Sequence, residues 1–219
     1  MSDFSASGLA CRRGERLVFR HLDFALPAGG ALVLRGPNGS GKSSLLRILS
    51  GLLPPAAGKL SWGATPIADE PELHRDRLHY VGHLDAVKPT LTVRENLRFW
   101  AGMREALDEQ AVTDALARFG ISALANAPAR FLSAGQKRRL ALARLLASGA
   151  DLWLLDEPTV ALDAATIVLL EGIIAEFRAE GGRLVVSTHA PIALPDAQRL
   201  DMAGYAPAQG TLPVLEALL

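Results

Sequence analysis

The shortages in this sequence are informative, because each removes a class of protein. One cysteine, Cys11, stands among 219 residues, so no disulfide can form within the chain and a disulfide-stapled scaffold is excluded. Cys11 reads as a small packing residue. Excess charge of either sign is also missing, since 23 basic and 23 acidic residues cancel. Long-range attraction to nucleic acid or anionic lipid is therefore not the organising principle, and no nucleic-acid partner is expected. Long apolar runs are absent too. The longest stretch free of Asp, Glu, Lys and Arg covers residues 202–215, is interrupted by Gly204, Pro207 and Gly210, and is too short to span a bilayer as a helix. Residues 1–10 lack the basic, apolar, cleavable pattern of a signal peptide. No repeat or low-complexity tract is present, and the apolar share of 49% is ordinary for a globular protein.

What is present is an alternation of short apolar strands and helical segments. Residues 4–26 alternate apolar and polar positions and predict strands of an antiparallel layer. Pro27-Ala28-Gly29-Gly30 is a turn, residues 31–35 a short buried strand, and residues 51–58, with Pro54-Pro55, a second break. Residues 78–81, 152–155 and 184–187 read as further strands, and a helix is expected over 167–179. Between about 91 and 130 the pattern turns helical: Thr92 and Glu95 have capping-box spacing, Asp108 starts a second helix and Ser133 caps a third. The expectation is a single domain over 1–219, an α/β core with an N-terminal antiparallel β layer and an inserted α-helical subdomain at about 83–135.

Chemistry enters at Gly36-Pro37-Asn38-Gly39-Ser40-Gly41-Lys42-Ser43, followed by Ser44, which fits G-x-x-x-x-G-K-[ST]. Successive backbone N–H groups and a helix N-terminus make an anion site, and glycines let the backbone approach phosphate closely. Lys42 is expected to reach the β- and γ-phosphates and Ser43 to ligate Mg²⁺. An ordinary glycine turn would satisfy the bare pattern, but here an apolar strand precedes it and a helical run follows. A second apolar run, Leu152-Trp153-Leu154-Leu155, ends in Asp156-Glu157. Behind a phosphate loop, Asp156 is suited to hold Mg²⁺ through water and Glu157 to act as general base on an attacking water.

Leu132-Ser133-Ala134-Gly135-Gln136 resembles the L-S-G-G-Q signature of the ATP-binding-cassette family, with Ala134 where glycine is commoner. The resemblance covers about residues 8–190 and implies a P-loop NTPase fold, ATP and Mg²⁺ as ligands, and a head-to-tail pair. In such a pair Ser133 and the Gly135 N–H of one copy meet the γ-phosphate held by the other. It further implies that Ala161-Leu162-Asp163 runs along the pair interface and that His189 is a switch histidine contacting the γ-phosphate.

Two departures stand out. Where many members stack an aromatic residue on adenine, this chain has Cys11-Arg12-Arg13-Gly14; Arg13, by its guanidinium plane, or Phe19 are the alternatives. Where a glutamine usually ends the strand at 79–82, the chain has His83, an imidazole in the place of an Mg²⁺-facing amide. The triplet His74, His79 and His83 matches no standard metal-ligand spacing. Residues 80–89 and 91–97 resemble the haem-exporter ATPases of cytochrome c maturation. This implies integral-membrane permease subunits and cytochrome c maturation proteins as partners. It also implies a peripheral position at the cytoplasmic face of the inner membrane, and hydrolysis that powers release of a haem-loaded chaperone. The alternatives are a cassette ATPase exporting a lipid or drug, or a cassette ATPase acting on nucleic acid or ribosomes.

Overall fold

The computed structural model describes residues 2–103 and 107–207. The tail of the charge-free run, 208–215, and three positions of the helical stretch, 104–106, lie outside the described residues. Two sheets organise the chain. The first is antiparallel: β1 (Phe4–Arg13), β2 (Arg16–Leu26), β4 (Ala57–Trp62) and β5 (Thr65–Pro66) lie in the order β2-β1-β4-β5. Gly14, with φ 58°, and Glu15 form the tight turn between β1 and β2. The second sheet is parallel, in the order β6-β7-β8-β3-β9, from β3 (Ala31–Arg35), β6 (Leu78–Val81), β7 (Leu152–Asp156), β8 (Arg183–Ser187) and β9 (Gln198–Asp201).

Every residue of β7 and β8 is buried, because helices cover one face of this sheet and α1 with the antiparallel layer cover the other. Alternate side chains divide between two cores. Val33, Leu155 and Val186 pack with the helices α3 (Val93–Ala101), α4 (Glu109–Arg118), α5 (Ala134–Ala147) and α6 (Ala164–Ala179). Leu34, Leu154 and Val185 pack with α1 (Lys42–Leu49) and with Phe4, Phe19 and Leu60 of the antiparallel layer. Thr92 and Glu95 form the expected capping box at α3, Asp108 caps α4, and Ser133 and Gln136 form a second capping box at α5.

Two local expectations need correction, and one strand is added. The last long helix starts at Ala164, not at 167, because the Asp163 carboxylate accepts the Thr166 N–H and draws the first turn into the helix. The break read at 51–58 gives way to β4 at Ala57, whose pairing with β1 closes the antiparallel layer. The stretch after Pro191 supplies β9, the edge strand beside β3. Among the described residues no helix is long and apolar enough to cross a membrane.

Candidate nucleotide site

Three neighbouring strands of the parallel sheet deliver the site at their carboxyl ends, where open α/β sheets carry ligands. β3 runs into the loop 36–41 and α1, β7 ends at Asp156, and β8, lying between them, leads to Thr188 and His189. A cavity of about 810 Å³ opens there, lined by Asn38, Lys42, Ser43, Asp156, Glu157 and His189 among others. Ser44 and His83 also line it, and Arg13, Arg16 and Val18 form another part of its wall.

The loop geometry requires its glycines. Gly41, the N-cap of α1, has φ 102°, and a Cβ there would meet Val18 Cγ1 at 2.7 Å and Phe19 Cδ1 at 3.0 Å. No side chain caps α1, which leaves its first N–H groups facing the cavity mouth. Lys42 is buried, and its Nζ donates to the carbonyls of Gly36 (2.7 Å) and Pro37 (3.1 Å). It also lies 3.2 Å from His189 Nε2, and Asn38 Oδ1 lies 3.1 Å from the same nitrogen.

Asp156 is buried in register with Ser187, whose hydroxyl donates to its carboxylate. Glu157 follows in a left-handed conformation, φ 49°, an unfavourable one for a residue with a Cβ. Its Oε2 accepts the His189 N–H at 3.1 Å, while its Oε1 is buried with no hydrogen-bond partner among the described residues, 3.7 Å from His189 Nε2. A carboxylate oxygen that accepts no hydrogen bond and lies beside a polar cavity is suited to receive a proton from a water seated there.

The structure separates the two stacking alternatives. Phe19 is fully buried, in the core under Gly41, so it cannot stack on a base, whereas Arg13 lines the cavity. The three histidines do not cluster. His74 bridges Trp62 and the Leu49 carbonyl, His79 contacts Ser148, and only His83 reaches the cavity. Cys11 is buried, and burial pushes its thiol pKa up.

None of residues 132–136 lines the cavity. Leu132 is buried in the helical core, while Ser133 and Ala134 are exposed at the N-terminus of α5. Gly135 packs against the Ala161 carbonyl, which a Cβ would approach to 2.9 Å. Asp163 pairs with Arg139 at 2.7 Å, and its carboxyl pKa is lowered by hydrogen bonds from Thr166, with Arg139 adding to the effect. The basic run Lys137-Arg138-Arg139, which follows residues 132–136, holds one further functional candidate. Arg138 points inward and is buried, with three acceptors at the end of β7 and two just after β6. Its spacing from Ala141, Leu142 and Leu145, on the apolar face of α5, is the signal that could have found it.

A phosphate loop, two strand-end acids and a histidine on one cavity, above a mixed pair of sheets, define a nucleotide-hydrolysing protein of the ATP-binding-cassette class. The sequence profile of the ABC transporter family matches residues 19–160. The Paramagnetospirillum magneticum protein named cytochrome c biogenesis ATP-binding export protein CcmA is 59% identical over 211 residues, spanning 95% of this chain and 97% of that one. The Rhodospirillum rubrum protein of the same name is 57% identical over 204 residues, 93% of this chain and 87% of that one. Among solved structures, a putative ABC transporter ATP-binding protein from Pyrococcus furiosus superposes with a TM-score of 0.82. It is 23% identical and covers 94% of this chain and 100% of its own, a likeness that speaks to fold alone. The chain belongs to the ABC transporter ATPases, within the family of those CcmA proteins, and it binds and hydrolyses ATP.

Proposed function

We propose that this protein is the ATP-hydrolysing subunit of the haem-export complex of cytochrome c maturation, and that hydrolysis powers release of a haem-loaded chaperone. The observation that carries the catalytic part is the convergence of Lys42, Ser43, Asp156, Glu157 and His189 on one cavity. The names of the relatives at 57–59% identity support the pathway.

In this reading residues 36–44 cradle the phosphates, and Lys42 exchanges its two loop carbonyls for the β- and γ-phosphates. Oxygen donors suit Mg²⁺, and the Ser43 hydroxyl and the buried Asp156 carboxylate on the cavity wall fit it. When bound, Mg²⁺ supplies charge neutralisation at the phosphates. Glu157 takes a proton from the attacking water at its free Oε1, and His189 senses the γ-phosphate from its place beside Lys42. His83 lines the same cavity, in the place of an Mg²⁺-facing amide.

The exposed N-terminus of α5, with Ser133, Ala134, Gly135 and Gln136, serves the nucleotide of a second copy in a two-fold pair with two composite sites. Its exclusion from its own chain's cavity supports that arrangement. The helical insert at about 91–130 and the loop 83–90 form the docking surface for an integral-membrane permease. Leu84 and Phe131, 81% and 71% exposed, support this, and attachment at the cytoplasmic face of the inner membrane is through that partner.

The test is a haem-stained gel of cells carrying Lys42→Ala. The expected result is haem retained on the chaperone, no haem on c-type cytochromes and normal b-type cytochromes. Normal c-type cytochromes would overturn the pathway and leave the ATPase standing.

A further inference from the structure

Arg138 is 3% exposed, and each of its five guanidinium N–H donors has a protein acceptor. Nε donates to the Pro158 carbonyl at 3.1 Å, and Nη2 to the carbonyls of Asp156 (2.9 Å) and Glu157 (2.8 Å). Nη1 donates to the Gly82 carbonyl at 3.0 Å and to Asp85 Oδ1 at 3.1 Å. Three acceptors are thus consecutive carbonyls of the turn that carries the Glu157 side chain. The other two belong to the loop after β6.

That turn depends on external support. Glu157 sits at φ 49°, a conformation that persists only where the surroundings over-determine it. The turn's own bond, from Val160 N–H to the Glu157 carbonyl, is long at 3.3 Å. Asp85 in turn orients the guanidinium. It also lies near a second buried cation, Arg144, which stacks on Trp100 of α3 at 4.4 Å. Burial, with Arg138 adding to it, pushes the Arg144 pKa down to about 10, against the opposing effect of Asp85. Asp85 thus offsets the repulsion between two buried guanidinium groups.

We infer that Arg138 is a positioning residue that ties the 82–85 loop to the backbone turn carrying the Glu157 side chain, so that displacement of Asp85 retards hydrolysis while leaving ATP binding intact. The inference rests on the reading of Glu157 as general base. No lysine or glutamine can replace the link, because neither spans five acceptors in a planar fork. A small displacement at a reacting centre is enough to matter, since about 1 Å of misplacement costs about 10²-fold in rate.

The experiment is a double-mutant cycle on the intact membrane complex, with kcat for ATP and the Kd of a fluorescent ATP analogue both measured. Arg138→Gln is expected to lower kcat about 10- to 100-fold, with Kd changed less than about threefold. Asp85→Ala is expected to lower kcat about 3- to 10-fold, again with little change in Kd. The double variant should be no slower than Arg138→Gln within about twofold, because Asp85 reaches the Glu157 turn only through Arg138. Arg138→Lys should not restore the rate. Effects that multiply in the double variant, or a loss of affinity equal to the loss of kcat, would overturn the inference. If Arg138→Gln does not assemble, Asp85→Ala on its half-buried loop still decides, since an unchanged kcat there would reject the link. Glu157→Gln in the same preparation separates the two readings. Hydrolysis near the wild-type rate would remove the base and the inference with it. A dead Glu157→Gln beside multiplicative Asp85 and Arg138 effects would remove the positioning role alone.

Discussion

The N-termini of α1 and α5 present the same device, a small-residue loop opening a helix, in two different states. At α1 the N-cap is Gly41, no side chain bonds to the first turn, and the neighbouring cation Lys42 is folded onto its own loop. At α5 the N-cap is Ser133. Its hydroxyl accepts the Gln136 N–H at 3.3 Å, while the Gln136 side chain accepts the Ser133 N–H at 2.9 Å. A bare helix end with a lysine beside it is built to receive phosphate from solution. A self-capped end is stable without an anion, and its one long bond is the easier to exchange. In the proposed pair, α1 binds the nucleotide first, and α5 is recruited only when a second copy brings phosphate to it.

Breaking the cavity that the first end shares with Glu157 has the largest expected effect. Glu157→Gln should slow hydrolysis about 10²- to 10⁴-fold while ATP binding persists, and the variant should accumulate as an ATP-bound pair in sedimentation with ATP and Mg²⁺. Persistent single cassettes in the assembled complex would sink the composite-site model. Lys42→Ala should lower ATPase activity of the same complex about 10²- to 10³-fold, the usual worth of one well-placed charge donor. Activity near wild type would reject the site.

The second end can be altered without touching the first. Ser133→Asp keeps a good N-cap, so helix stability should change by less than about 0.5 kcal/mol. It also places a negative charge where the partner's phosphate would arrive. ATP-dependent pairing should weaken at least about tenfold, with ATP affinity of the single cassette unchanged. Equal loss of pairing and of single-cassette affinity would mean that the two ends are not independent.

The difference between the ends also explains what was legible in the sequence. Gly36 to Ser43 could be read because the chemistry is local: eight consecutive residues make the whole device. The strand-end acids and the helix caps at Thr92, Asp108 and Ser133 were legible for the same reason. Features set by tertiary contact were not. Phe19 is an aromatic at a plausible distance along the chain, but its burial under Gly41 depends on how the antiparallel layer meets α1. Arg138 is the middle residue of the basic run Lys137-Arg138-Arg139, and only the meeting of β6, β7 and α5 reveals its five acceptors. β9 could not be foreseen because Gln198-Arg199-Leu200-Asp201 has one apolar residue, and its pairing with β3 supplies what its composition does not.

The smallest predicted effect lies away from both ends and tests whether the scaffold beneath α1 has a titratable element of its own. His74 is buried between Trp62 and α1: its Nδ1 accepts the Trp62 Nε1–H at 3.1 Å, which leaves Nε2–H to donate to the Leu49 carbonyl, at 2.8 Å, at the end of α1. Burial holds its pKa below the usual histidine value, with the nearby Arg77 and Arg75 charges acting in the same direction and the Leu49 hydrogen bond opposing them. The native state therefore keeps the ring neutral where the unfolded chain takes up a proton. The resulting loss of stability begins as pH falls through about 6.5, the unfolded value. It grows by at most about 1.4 kcal/mol per pH unit for one proton and levels off below the folded pKa. Denaturant unfolding of wild type and His74→Gln between pH 8 and 5 should show a constant difference above pH 7 and a shrinking one below it. Glutamine carries no titratable proton, and the other histidines are common to both proteins. A difference that stays constant to pH 5 would show that the His74 ring is protonated at no net cost, against the buried, neutral bridge seen between Trp62 and α1.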